Sequence, residues 1–351
     1  MQQESYRLSY QRAKALGLFL LLFSFLLLTN FRVTAQDLHF SQYTYAPLVT
    51  NPANAGDFQA DWRFIHHFRS QWQSVDQGFR TLSFSFEKNY LLKRNQLSLG
   101  GLLLYDRSGL AQLSIMKLEL AAAYQFNFYQ QSLRFGLQAG LGANQFTLAG
   151  TTTDSQWDPS IGYFNPTLNS MELNDGDAVL YPNVQLGALY RFRIANRYEN
   201  YVGFSAFNLL QPNVGFYQEE VLPFSWSAQY AILIPFSGAY SLRPNFIYRN
   251  QSKANYALLG VDFITAVGTN PYQILAWQSG IKLRSGFNRN FDAIILHLGA
   301  RMPRSEFGLS YDVTISGVQL ASRFRGAFEL YIVYYQPFRK PNPSVIPCFR
   351  Q

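Results

Sequence analysis

The sequence predicts an all-β fold: a transmembrane antiparallel β-barrel of about fourteen strands with both termini on the periplasmic side. Three observations predict it. Apolar and polar residues alternate with period two through most of the chain, the pattern of strands that present two different faces. Many of these runs reach about ten residues, the length a tilted strand needs to cross a bilayer. The chain also opens on an export segment, after which no run approaches 18 consecutive apolar residues, so strands rather than helices are left to span a membrane.

The export segment comes first. Arg7, Arg12 and Lys14 precede the short apolar run from Ala15 to Leu28, and Val33-Thr34-Ala35 supplies small residues for cleavage. Residues 1–35 are therefore expected to be a signal peptide cleaved near Ala35, leaving Gln36 at the mature terminus. The alternative, a membrane anchor helix, is disfavoured because the apolar run is too short to span comfortably. No Cys lies near the cleavage site, which excludes a lipoprotein. The single cysteine, Cys348, cannot form an internal disulfide or a thiolate cluster. Residues 36–58 follow as a periplasmic or lumenal segment. From His39 to Gly56 they are rich in Asn, Pro, Gln and Tyr and read as ordered non-strand structure in the barrel mouth or lumen.

The barrel is expected over 59–336, with a periplasmic tail over 337–351. The candidate strands are 59–72, 79–89, 96–106, 113–129, 131–148, 183–193, 199–208, 222–235, 239–249, 254–265, 272–285, 290–301, 305–316 and 325–336. In the second, Leu82, Phe84 and Phe86 oppose Thr81, Ser83, Ser85 and Glu87. In the thirteenth, Phe307, Leu309 and Tyr311 oppose Glu306, Ser310 and Asp312. Lys117 and Glu119, and likewise Lys282 and Arg284, keep to the polar phase, as they must if the other face meets lipid: Lys or Arg there costs on the order of 2–4 kcal/mol at the midplane. The candidates 199–208 and 290–301 alternate poorly, and His66 falls on the apolar phase. Counting from periplasmic termini, the even connections should be short turns and the odd ones long external loops. Gln130-Gln131, Ala195-Asn196 and Ser237-Gly238 fit the first class. The stretch from Ala149 to Pro182 is the longest of the second.

Composition narrows function. The formal net charge is +8. The first 35 residues hold four Lys/Arg and one Glu, leaving +5 scattered over the rest, with no dense basic block of the kind nucleic-acid binders use. Aromatics at 17% against charged residues at 14% suit a surface that meets outer-membrane lipid. Catalysis is not expected. His66 and His67 are adjacent in a strand and point to opposite faces, so they cannot share a metal, and no nucleophile elbow is present. Gly100-Gly101 and Gly140-x-Gly142 lie within strands with no following helix, and read as close-packing positions rather than phosphate cradles. Asp175-Gly176-Asp177 lacks the rest of a Ca²⁺ loop. No cofactor or metal is expected.

The ends of the mature chain carry specific motifs. Near the start stand Phe40-Ser41-Gln42, Pro47, Asn51-Pro52-Ala53, Gly56, Arg63, Arg69, Gln71-Trp72, Thr81 and Ser83 to Ser85. Near the end stand Gly308 to Ser316, containing Ser310-Tyr311-Asp312, and Gly326 to Tyr334, containing Glu329. This set, in this order, resembles the PorP/SprF family of type IX secretion system outer-membrane proteins. The resemblance implies a barrel tied to the type IX secretion and gliding machinery, binding or anchoring secreted adhesins or machinery components at the cell surface. It also implies structural or docking roles for the motif residues. The alternative is an outer-membrane channel for small apolar or nutrient molecules.

Overall fold

The computed structural model describes residues 39–71, 78–91, 95–109, 112–147, 152–169, 178–216, 218–236, 238–251, 254–268, 273–286, 291–315 and 325–338. The expected signal peptide, Trp72, Asp175-Gly176-Asp177 and Cys348 lie outside them. Among these residues the strands are β1 (Trp62–Gln71), β2 (Phe79–Leu91), β3 (Gln96–Ser108), β4 (Leu113–Phe128), β5 (Gln131–Gln145), β6 (Trp157–Asp158), β7 (Tyr163–Phe164), β8 (Ala178–Ile194), β9 (Tyr198–Phe207), β10 (Ser225–Pro235), β11 (Tyr240–Gln251), β12 (Ala254–Ala266), β13 (Ala276–Gly286), β14 (Phe291–Arg301), β15 (Ser305–Thr314) and β16 (Arg325–Gln336). All but β6 and β7 form one closed antiparallel barrel of fourteen strands, each paired with its neighbour in sequence, and β1 closes on β16. The closing register places Arg69 opposite Glu329. Closure leaves no free sheet edge, which a bilayer demands.

Alternation in sequence becomes alternation in burial. On β2, Thr81, Ser83, Ser85 and Glu87 are buried while Phe86 is exposed. On β15, Glu306, Ser310 and Asp312 are buried while Phe307, Leu309 and Tyr311 are exposed. The buried face lines the lumen and the exposed aliphatic and aromatic face is the one a bilayer covers. His66 lies on that outer face, stacked on Phe84 at 4.5 Å between ring centroids, and its neighbour His67 is buried inside. At the β8–β9 turn, Ala195 and Asn196 both take positive φ, 52° and 55°, the backbone that a tight two-strand turn requires.

Two features depart from the sequence expectation, the early start of β8 and a hairpin in the fifth connection, and two that it already contained, Pro244 within a strand and the poor alternation of 290–301, find their reason. β8 begins at Ala178, several residues early, and takes in Pro182. That part of β8 pairs with β5, but its pairing with β9 starts only at Leu186, so proline there sits at a local edge. Pro244 lies inside β11, where the β10–β11 pairing skips from Asn245 to Leu242 and no ladder bond from its nitrogen is needed. The long fifth connection is not wholly irregular, since β6 and β7 form a hairpin within it. Finally, β14 alternates poorly because its lumenal face carries Ala293 and Ile295, both buried. Ile295 packs with Ile247, Leu258 and Tyr43, and Tyr43 belongs to neither wall: it comes from the segment inside the barrel.

That segment runs from His39 to Asp61. It holds 3-10 turns at Tyr43–Tyr45 and Pro52–Asn54 and one helical turn at Pro47–Thr50. Proline opens the last two, where its missing N–H and fixed φ suit the first helical position. Asn51 caps the second turn by accepting from the Ala53 N–H at 2.8 Å. A side of the segment made of Phe40, Ala46, Leu48 and Ala55 meets Leu102, Leu104, Ala121 and Ala123 of the wall. The hydrophobic core of this barrel is thus the seam between its wall and its own N-terminal segment.

Candidate functional site

The motif residues from both ends of the sequence meet in the lumen. Phe40 stacks on His67 with centroids 4.1 Å apart. The Ser41 and Gln42 backbone N–H groups donate to the two carboxylate oxygens of Glu329 at 2.7 and 2.9 Å. The Ser41 hydroxyl donates to Asp312 Oδ2 at 2.7 Å and accepts from Arg69 Nη1 at 2.9 Å. Arg69 also pairs with Glu329 and with Asp312, the latter at 3.2 Å, and its Nη2 donates to Gln71 Oε1 at 2.9 Å. Arg284 completes the cage, reaching Asp312 at 2.8 Å, and Lys282 donates to Gln42 Oε1 at 2.7 Å. All these charges except Asp292, which binds Arg284 from the rim side, are almost wholly buried. Buried charges persist only when paired and hydrogen-bonded, and here each pairing includes the N-terminal segment or the residues that hold it.

A second contact region holds Asn51-Pro52-Ala53. The Asn51 amide donates to the Ala188 and Phe204 carbonyls, each at 3.2 Å. Gly136 and Gly187 face each other across β5 and β8. A Cβ at Gly136 would fall 2.4 Å from the Ala53 nitrogen, and one at Gly187 would fall 2.0 Å from Asn51 Oδ1. The bare backbone of two paired strands is the seat for this turn. Near the start of β1, Gly56 takes φ +72°, and a Cβ there would fall 2.0 Å from Ser98 Oγ. Its N–H donates to Glu87 Oε2 at 2.7 Å, and Glu87 is gripped by Arg63 at 2.8 Å. Between the two regions, the Tyr45 hydroxyl, with one proton to give, lies within hydrogen-bond reach of Gln278 Oε1 at 2.6 Å and of Glu306 Oε1 at 2.5 Å, and its ring stacks on Tyr331.

Electrostatics follow the packing. Burial, reinforced by Arg284 and Arg69, lowers the His39 pKa well below that of an ordinary imidazole. Burial raises the Tyr45 phenol, and the Glu306 carboxylate adds to it. Burial alone would raise Asp57, but Arg191, Arg134 and Arg63 together hold it below the usual carboxylate range.

Of the motif residues singled out in the sequence, Phe40, Ser41, Gln42, Arg69, Gln71, Asp312 and Glu329 converge in one cage, Asn51, Pro52 and Ala53 rest on the bare backbone of β5 and β8, and Gly56 is held by Glu87. Ser310 lines the lumen with a buried hydroxyl that has no partner. Tyr311 does not join them; it lies on the outer face, 42% exposed. His67, Glu87, Lys282, Arg284, Gly136 and Gly187 also belong to the site. Lumenal phase marks the charged ones in sequence, but nothing local tells which partner each would find. Among the described residues no cluster of three or more His, Cys, Asp or Glu could hold a metal.

Comparison with known proteins agrees with this architecture. The family described as type IX secretion system membrane protein PorP/SprF matches residues 33–334. No curated protein matches the chain. Among solved structures, the CymD monoaromatic hydrocarbon channel superposes with a TM-score of 0.53 at 10% identity, over 84% of this chain and 93% of that one. A TodX monoaromatic hydrocarbon channel mutant gives 0.50 at 9% identity, over 84% and 94%. The Pseudomonas putida toluene transporter TodX gives 0.49 at 9% identity, over 84% and 93%. Likeness at such identity concerns the fold alone, and the first two are barrels of the same build. With a family match over nearly the whole described chain and a closed fourteen-strand wall, the chain belongs to the PorP/SprF family of type IX secretion system membrane proteins, as an outer-membrane β-barrel.

Proposed function

We propose that the protein is a non-enzymatic docking element of the type IX secretion and gliding machinery. In this reading it binds or anchors secreted adhesin cargo or machinery components at the cell surface. The leader is removed near Ala35, and both termini face the periplasm. The observation that carries the reading is the occupied lumen. The segment from Ser41 to Asp57 makes hydrogen bonds or ion pairs with β1, β2, β3, β5, β8, β9, β10, β11, β13, β15 and β16. A barrel filled this way offers its rims and loops for binding instead of a free path. The orientation is supported by the tight connections β4–β5, β8–β9, β10–β11 and β14–β15, which belong on the periplasmic side of such barrels. The two-residue β11–β12 connection is short on the other side.

Copurification from native outer membranes with mass spectrometry tests the proposal. Recovery of a secreted protein bearing a type IX C-terminal signal, or of a periplasmic machinery component, is expected. Recovery of neither would contradict it. A second reading, a channel for small apolar or nutrient molecules, draws on the fold shared with CymD. Ligand uptake into liposomes by the intact chain would establish that reading and displace the first.

A further inference from the structure

We propose that the hairpin of residues 152–169, within the longest connection between barrel strands, is a docking surface for a positively charged segment of a secreted protein. This inference rests on the docking reading above; it adds the surface and the chemistry of the partner.

The hairpin is built to keep its shape. β6 and β7 pair Trp157 with Phe164 and Asp158 with Tyr163. The Gln156 amide donates to the Leu168 carbonyl at 2.8 Å, and the Asn165 N–H donates back to the Gln156 carbonyl at 2.8 Å. Asp158 Oδ1 accepts from the Ser160 N–H at 2.9 Å and tightens the turn. Yet the side chains that the hairpin displays are open to solvent, with Trp157 and Phe164 meeting edge to face at 5.0 Å between ring centroids. Tyr163 is 60% exposed and Trp157 47%, with Phe164, Ile161 and Leu168 exposed beside them. Rigid, exposed Trp and Tyr are the residues that anchor protein interfaces, because they bury large area at little cost in side-chain order.

Charge chooses the partner. Residues 152–169 hold Asp154 and Asp158 and no Lys or Arg. The next long connection, 208–224, touches this one through Phe146 and Phe216, whose ring centroids lie 4.9 Å apart. It adds Glu219 and Glu220, again with no Lys or Arg. The other connections at the hairpin's end carry Asp76, Lys253, Arg289 and Arg323, so the acidity belongs to these two, while those at the opposite end carry Lys93, Arg94, Arg197 and Arg304 and no Asp or Glu. An aromatic patch flanked by Asp154, Asp158, Glu219 and Glu220 attracts Lys and Arg twice over, by charge and by cation–π contact with Trp157 and Tyr163. A phosphate-bearing lipid surface is repelled by the same charges, so the occupant is a basic protein segment and not the membrane.

The test uses the full chain in its native outer membrane, with a photoreactive phenylalanine analogue at position 163. The expected adduct joins the barrel to a secreted protein through a peptide of net positive charge. Its yield should fall about tenfold in the Asp154→Lys, Glu219→Lys, Glu220→Lys variant and fall also with added salt. Trp157→Ala with Phe164→Ala should lower it too, with the heat-dependent gel shift of the folded barrel unchanged. Adducts to lipid, adducts to a neutral or acidic peptide, or a yield that ignores the charge reversal would overturn the inference. In those cases secreted proteins still copurify and the docking reading stands. If the unmodified chain copurifies no secreted or machinery protein, the docking reading itself fails.

Discussion

Glu329 lies 288 residues from Ser41 in sequence, yet its carboxylate receives the Ser41 and Gln42 N–H groups together with Arg69 and His67. Glu329→Ala leaves two buried N–H groups unpaired and takes from buried Arg69 one of its two carboxylates, and its expected cost is about 3–5 kcal/mol, read as a lower urea midpoint for unfolding from lipid vesicles. Gly136→Ala drives a methyl group into the Pro52-Ala53 backbone. It should cost about 1–3 kcal/mol and speed amide exchange across residues 51–56, whereas Gly268→Ala, with open space around it, should change neither. The seat of the segment is also pH-sensitive in a defined sense. His39 binds its proton less readily when docked than when free, so docking is fully favoured above about pH 6.5 and weakens as pH falls below it. Asp57, whose folded pKa is also depressed, adds a further loss below about pH 4. Tyr43 and Tyr45, raised by burial, keep their protons when docked, so docking weakens again as pH rises above about 10. Amide exchange over residues 39–61 should therefore be slowest between about pH 6.5 and 10, after correction for the intrinsic pH dependence of exchange.

At the scale of elements, the strands were legible because one face of each had to be apolar for lipid. Alternation in 81–87 and 306–312 read directly into lumen and lipid faces. Leu120, near the middle of β4 and 72% exposed, tests that division. Leu120→Arg should cost on the order of 2–4 kcal/mol in vesicle-folded protein, while Tyr129→Arg at the adjacent turn should be tolerated. Alternation failed over 290–301, where the lumen itself is apolar and Ile295 packs with Leu258 and Tyr43, because an internal segment gives the inner face something greasy to pack on. Pro182 misled for a different reason: whether a proline breaks a strand depends on the neighbour opposite its nitrogen, and that neighbour is set by where β9 ends. The β6–β7 hairpin escaped notice because two-residue strands show no measurable period.

At the scale of the molecule, the wall and its contents carry different kinds of information. The wall follows from local pattern and loop parity. The filling does not, since its ion pairs join residues that only barrel closure brings together: Arg69 to Glu329 across β1 and β16, Ser41 to Asp312, Asp57 to Arg191. The motifs at the two ends of the chain were recognisable as motifs, but that one end is the lock and the other the key emerges only in three dimensions. The central claim is that the protein's own N-terminal segment closes the lumen. Conductance of the purified intact chain in planar bilayers tests it most directly. The expected result is a silent bilayer for the unmodified protein, with stepwise openings appearing once Glu329→Ala frees the segment. Stable stepwise conductance through the unmodified chain would contradict it.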